Sequence, residues 1–280
     1  MNNNLRILKN AALIGAAVYV IRGMDMRLET VRYTVSSKKI PKEFNGFRIV
    51  QLSDYHNDTV PGLLENVSAE VPDLICTTGD MADDKGSFDP AINLFRCLSD
   101  IAPTLAISGN HEMWRSDYKD FIKAARKAGA VFLDDEVYIA EQNGAKLPVY
   151  GVNDPFSRDN ARMTMRVDTS IEKLNIDTEL FNVLLFHRAN MLDSIKTKGF
   201  DLILSGHMHG GQFRLPTGQG LVAPKSSFGS NSKVLFPKYF GGRYEYMDTV
   251  MIVNRGLGNP MVIPRLFNRP ELTVITLKSK

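Results

Sequence analysis

The chain has 280 residues, 44% of them hydrophobic and 23% charged, a globular balance that excludes collagen-like, low-complexity and intrinsically disordered classes. Lysine and arginine (34) exceed aspartate and glutamate (31) by a formal charge of only +3, too mild to indicate a nucleic-acid-binding surface. Two cysteines, Cys76 and Cys97, are too few for a disulfide framework or a cysteine-ligated zinc site.

Residues 11–21 (AALIGAAVYVI) form an uninterrupted apolar run, preceded by Arg6 and Lys9 and followed by Arg22. The run falls short of the roughly 20 residues that span a bilayer, and VYVIRGMDM offers no small-x-small cleavage site. It reads as an uncleaved N-terminal anchor that makes the protein membrane-associated, the alternative being a helix packed on the domain. Arg22, Arg27, Arg32, Lys38 and Lys39 outnumber Arg6 and Lys9, but translocated domains often override that bias, so the side of the membrane stays open. The chain is therefore divided into an anchor, 1–26, and a catalytic domain, 27–280.

From Val31 to Val35 apolar residues alternate with Arg32 and Thr34, the pattern of a half-buried strand. Short apolar runs follow at 47–53 (FRIVQLS), 73–78 (DLICTT), 104–108 (TLAIS), 181–186 (FNVLLF) and 200–205 (FDLILS). Rich in β-branched residues and brief, they suit strands buried on both faces. Residues 90–98 and 116–128 read as helices, and Asn143-Gly144 between two apolar runs predicts a hairpin over 137–152. Runs at 249–254 and 271–277 add two strands. Strands alternating with helices, plus hairpins, predict an α/β protein with mixed sheets.

The residues that follow the five apolar runs carry the chemistry. They are Asp54-Tyr55-His56, Gly79-Asp80, Gly109-Asn110-His111-Glu112, His187, and Gly206-His207-Met208-His209-Gly210-Gly211, and they include all five histidines of the chain. In open α/β sheets ligands bind outside the carboxyl ends of the strands, so these loops can converge. Imidazole, carboxylate and amide ligands without thiolate suit Mn, Fe or Zn. Two residues apart on extended chain, Asp54 and His56 project to one side, as do His207 and His209. The set exceeds what one tetrahedral zinc needs and fits two divalent ions sharing a carboxylate. The HExxH pattern fails at Arg115, and neither a PCxxC deaminase motif, a Walker loop nor a GxSxG elbow is present.

The ordered blocks D-x-H, G-D, G-N-H-E, H and G-H-x-H over residues 47–212 resemble the calcineurin-like metallophosphoesterase superfamily. The GHMHGGQ form, the N-terminal segment and the closing FNRPEL are similar to its bacterial membrane-associated branch. Some members of that branch hydrolyse UDP-diacylglucosamine, so a lipid-linked or nucleotide-linked phosphate is among the implied substrates. The resemblance implies a four-layer α/β/β/α sandwich of two mixed sheets and a phosphohydrolase cleaving a phosphoester or pyrophosphate bond. It places Asp54, His56 and His209 on a first metal and Asn110, His187 and His207 on a second, with Asp80 bridging. A hydroxide bridging the two would attack phosphorus in line. His111 would contact the phosphate beside Asn110 and protonate the leaving oxygen, while Asp83 and Glu112 would fix histidine tautomers. Where many relatives have a proline two residues after the lone histidine, this chain has Arg188-Ala189, which makes Arg188 a candidate phosphate contact. A catalytically silent phosphate-binding protein on the same fold is the alternative, but it would arise by loss of ligands and none is lost here.

Residues 212–246 lack periodicity and mix Phe213, Phe228, Phe236, Tyr239, Phe240 and Tyr244 with Arg214, Lys225, Lys233, Lys238 and Arg243. So long a loop suits a cap over an amphiphilic phosphate, or else aromatics that pack it onto the sheet.

Overall fold

The computed structural model describes residues 3–155, 160–224, 235–259 and 264–280. In chain order its elements are α1 (Asn3–Gly23), β1 (Glu29–Ser37), β2 (Arg48–Leu52), α2 (Leu63–Ala69), β3 (Leu74–Thr77), α3 (Asp89–Ile101), β4 (Thr104–Ala106), α4 (Asn110–Trp114), α5 (Tyr118–Lys127), β5 (Val131–Phe132) and β6 (Glu136–Gln142). They continue with β7 (Ala145–Val152), α6 (Asn160–Lys173), β8 (Val183–Arg188), α7 (Leu192–Ile195), β9 (Leu202–Gly206), β10 (Gly242–Tyr246), β11 (Thr249–Val253) and β12 (Glu271–Ser279). One sheet runs β1-β12-β2-β3-β4-β5 and the other β10-β11-β9-β8-β7-β6. Both are mixed: β2 to β5 are mutually parallel with β12 antiparallel to β2, and β7, β8, β9 and β11 are parallel with β6 and β10 as antiparallel edges.

The continuous apolar runs are explained by burial on both faces. In β2, Ile49 faces the second sheet, in one cluster with Leu74, Leu105, Leu185 and Leu204, while Val50 and Leu52 face Val67, Phe95 and Phe121 of α2, α3 and α5. In the second sheet, Leu185 and Leu204 fill the space between sheets, and Leu184, Phe186 and Ile203 pack on Val167 and Ile171 of α6 and Leu192 of α7. Helix, sheet, sheet and helix are thus the four layers. The hairpin forms where expected: Asn143 (φ 49°) and Gly144 (φ 83°) join β6 to β7 with both residues left-handed, as a type I′ turn requires.

Helix α1 leaves Leu13, Ile14, Val18 and Ile21 exposed, and among the described residues no helix is long and apolar enough to cross a membrane. Its end is fastened to the domain: Tyr19 and Phe267 have ring centroids 4.6 Å apart, and the Phe267 amide donates to Gly23 O (2.5 Å). The aromatic-basic stretch contains β10, whose register with β11 was not read from its sequence. Tyr239 is buried and donates to Asp193 Oδ1 (2.9 Å), its ring lies edge-on to Tyr244 (5.0 Å), and Arg214 covers Phe240 (5.5 Å). These residues pack the segment onto the fold, whereas Phe236 is 57% exposed. Lys225, Phe228 and Lys233 lie outside the described residues.

Candidate metal centre

The parallel strands β2, β3, β4, β8 and β9 end on one side of the sandwich, and their following loops meet between the sheets. Two cross-sheet bonds set their spacing: Gln51 Nε2 donates to Ser205 O (2.9 Å), and His187 Nδ1 donates to Thr78 O (2.7 Å). At the end of β8 the register with β9 shifts between Leu185 and Arg188, an irregularity that re-aims His187. Asp54, His56, Asp80, His207 and His209 all have left-handed backbone, with φ between 46° and 73°. Such φ values are uncommon outside glycine and cost on the order of 1–3 kcal/mol each; they turn the chain sharply enough to aim a side chain back over its own strand. Glycine is required where these loops touch. A Cβ at Gly79 (φ +89°) would lie 2.8 Å from His187 Nδ1, and one at Gly206 would lie 2.5 Å from Asp54 Oδ2.

Among the described residues three groups of ligand atoms result, each within 4.8 Å of one another: Asp54/His56/His209 and Asp80/His187/His207 are buried, and His56/Asp83/His111, which shares His56 with the first, is half-buried. In the first, His56 Nε2 is 3.3 Å from His209 Nε2, which is 3.5 Å from Asp54 Oδ1. In the second, His187 Nε2 lies 3.2 Å from His207 Nδ1, 3.2 Å from Asp80 Oδ2 and 3.3 Å from Asn110 Oδ1. Asp80 Oδ2 is also 3.9 Å from His56 Nε2, so one carboxylate faces both groups. The donors fit divalent cations. Because a carboxylate and a carbonyl only accept, Asp83 Oδ1 (2.9 Å) and Thr78 O fix the protons of His56 and His187 on Nδ1 and turn each Nε2 inward. Nitrogens facing one another at this distance need a proton or a cation between them.

The buried carboxylates make the site electrostatically favourable to positive charge. Burial raises the Asp54 carboxyl, with Asp80 adding to it against His187 and His56. Burial would raise Asp80 too, but His187, His111 and His56 outweigh it and hold Asp80 well below the usual carboxylate range. Burial works against a charge on His187, yet Asp80 and Asp54 push it up to about 10. His207 and His209 are held well below the usual imidazole range, by burial first, then by Arg188 and His187 for the former and by His56 and Arg265 for the latter.

Glu112 plays a different part from the one expected. It touches no histidine ring; its carboxylate accepts the backbone N–H groups of Asp80 (2.9 Å), Ala82 (2.8 Å) and Gly109 (2.7 Å), clamping the loop after β3 to the loop after β4. Burial and Asp80 raise it to about 7. His111 lies outside the two buried groups, at the mouth, grouped with His56 and Asp83; its side chain is 22% exposed, edge-on to His56 (4.6 Å) and against Trp114 (4.9 Å), with Nδ1 3.7 Å from Asp84 Oδ1 and 3.9 Å from Asp83 Oδ1. Arg188 is 2% exposed and forks onto Asp154 of the loop after β7, through Nε to Oδ2 (2.5 Å) and Nη2 to Oδ1 (3.1 Å), with its charge also bearing on His207. Asp154 was not singled out in the sequence, nor were Arg265 and Asn268, which reach His209 from the far end of the chain.

Two facing mixed sheets whose strand ends gather buried histidines around one shared carboxylate define a metal-dependent hydrolase. Residues 47–211 match the Calcineurin-like phosphoesterase family, and the chain belongs to it and is, with it, a metal-dependent phosphohydrolase. It is 31% identical to the uncharacterized metallophosphoesterase YkuE of Bacillus subtilis over 90% of this chain and 86% of that protein. An uncharacterized metallophosphoesterase of Aquifex aeolicus is 30% identical over 94% of this chain and 98% of its own. Phosphodiesterase YaeI of Escherichia coli is 24% identical over 82% of each.

Proposed function

We propose that the protein hydrolyses a phosphoester through two adjacent divalent ions, one held by Asp54, His56 and His209 and the other by Asn110, His187 and His207, with Asp80 common to both. The observation that carries this reading is the position of Asp80 Oδ2, 3.2 Å from His187 Nε2 and 3.9 Å from His56 Nε2. When bound, such ions neutralise phosphoryl oxygens and lower the pKa of water enough to supply the nucleophile near neutral pH. The chain's own residues do the rest. Asp83 and Thr78 O hold the imidazole protons away from the centre, and Glu112 fixes the loops that carry Asp80 and Asn110. His111, the half-buried histidine at the mouth, would contact the phosphate and protonate the leaving oxygen, with Asp83 and Asp84 beside its Nδ1. The Escherichia coli relative supports diesters as the first class to test. The exposed apolar side chains of α1, flanked by Arg6, Lys9 and Arg22, support contact with a lipid surface and a substrate met there.

The test is hydrolysis of p-nitrophenyl phosphate and bis-p-nitrophenyl phosphate by the full chain, stripped with chelator and reloaded with Mn²⁺, Fe²⁺ or Zn²⁺. Metal content is measured in parallel for Asp80→Ala. Activity that needs metal and disappears with both ions in Asp80→Ala is expected; Asp80→Ala retaining two ions overturns the shared-carboxylate assignment. Co-sedimentation with anionic vesicles, compared with a chain lacking residues 1–24, tests the lipid contact, and equal sedimentation of both rejects a role for α1.

A further inference from the structure

Arg265 is 1% exposed and sits behind the first group of ligands. Nη1 donates to Arg255 O (2.6 Å), Nη2 donates to Gly258 O (2.5 Å) and lies 3.4 Å from His209 Nδ1. Among the described residues its Nε has no hydrogen-bond partner. The same guanidinium backs onto Asp54, because a Cβ at Gly256 would lie 2.8 Å from Asp54 Cβ and 3.1 Å from Arg265 Nη2. Asp54 and Asp58 offset part of the burial of this cation, yet an apolar side chain would fill the space at less cost. Three residues on, Asn268 holds the same histidine by its backbone: its Nδ2 donates to His209 O (2.7 Å) and to Gln212 O (3.2 Å). The loop behind Asp54 and the backbone of His209 are therefore both held by residues 265–268, which lie beyond the stretch matching the family.

We propose that Arg265 is a positioning residue for the first ion, acting through the 255–258 loop that holds Asp54, with Asn268 holding the backbone of His209. This rests on the two-ion reading above. A guanidinium near a cation site acts in two opposite ways. Its fork ties Arg255 O to Gly258 O and so holds the loop whose Gly258 N donates to Asp54 O (2.7 Å), which strengthens binding, and its charge repels the ion, which weakens it. The fork dominates here because its two carbonyl bonds at 2.5–2.6 Å allow the side chain no other place, whereas Asp54 lies close enough to compensate the charge.

The experiment is calorimetric titration of the metal-free full chain with Mn²⁺, comparing wild type, Arg265→Lys, Arg265→Met and Asn268→Ala. The variant His209→Ala identifies the binding step that belongs to the first ion. Arg265→Lys keeps the charge and loses the fork, and Arg265→Met loses both. Both are expected to weaken the His209-dependent step about 10–100-fold and leave the other step unchanged, with Asn268→Ala weakening the same step. A lysine variant equal to wild type, or a methionine variant that binds tighter, shows that only charge matters and overturns the proposal. Equal weakening of both steps overturns it as well, in favour of a general structural role. Should either arginine variant fail to fold by circular dichroism, Asn268→Ala decides by the same criterion. A single step in wild type refutes the two-ion reading, and Arg265 is then judged on that step by whether His209→Ala removes it.

Discussion

The Arg188–Asp154 pair offers a perturbation whose size follows from burial. Both residues are 2% exposed, and the pair is bidentate. Asp154→Ala removes the bidentate carboxylate from a guanidinium buried beside His187 and His207, and breaking one side of a buried pair costs about 3–5 kcal/mol. At roughly 2–4 °C per kcal/mol for a chain of this size, the unfolding midpoint should fall by about 10 °C. Replacing both partners with apolar side chains of similar volume, Arg188→Met with Asp154→Leu, removes the stranded charge and should restore stability to near wild type or above. Thermal and urea unfolding of the metal-free protein measures both variants, and the double-mutant cycle isolates the pair's coupling. The reasoning fails if Asp154→Ala stays within 1 kcal/mol of wild type, on the order of surface effects, or if the double variant is as unstable as the single one. The same double variant separates the two roles of Arg188. With the pair purely structural, KM for a phosphodiester stays at the wild-type value, and a raised KM at restored stability returns Arg188 to the phosphate.

Glu112→Ala strands three buried backbone donors and should cost about 3 kcal/mol or more, read by urea unfolding, with activity lost because Asp80 and Asn110 lose their common brace. Because His187 is pushed up to about 10 in the metal-free site, binding an ion there displaces a proton. Apparent affinity should therefore fall about tenfold for each pH unit lowered between pH 9 and 7, and calorimetry in buffers of different ionisation enthalpy should find about one proton released at pH 8; none released contradicts the assignment. The same shift makes His187 stabilise the metal-free fold fully below its unfolded value of 6.5 and progressively less as pH rises toward 10, so the gap between wild type and His187→Gln should narrow over that range. His111→Ala should keep its metals and lose 10²–10⁴-fold in turnover of substrates with poor leaving groups, with less loss on p-nitrophenyl esters; an equal loss on both contradicts proton donation.

The sandwich was legible because its central strands are buried on both faces, so Ile49-Val50 and Leu184-Leu185 read as unbroken apolar runs. The ligand set was legible for a related reason: parallel strands deliver the residues just past their C-terminal ends to one place, and all five histidines stand there. Other features left no such mark. β5 has two residues and no period, and β10 is masked by the aromatic and charged residues around it. Glu112 looked like a histidine partner because it adjoins His111, but the helical turn of α4 swings its carboxylate back onto the amides of Asp80 and Gly109. Asp154 and Arg265 carry no motif, and they matter through pairings 34 and 56 residues away in the chain.

Left-handed backbone at the ligands explains why this centre needs two sheets rather than one. Asp54, His56, Asp80, His207 and His209 each hold a conformation that an isolated loop would abandon. They are held by bonds between loops: Asp54 N to Gly79 O (2.9 Å), His56 N to Asp80 O (3.1 Å), and Gly258 N to Asp54 O (2.7 Å). Across the sandwich, His207 N donates to both oxygens of Asp54 (3.1 and 3.0 Å). Each strained residue is thus fixed by a loop whose own strand is anchored elsewhere in the core, and no single loop can relax without breaking a bond to its neighbour. The fold's own hydrogen bonds therefore hold the ligand nitrogens facing one another.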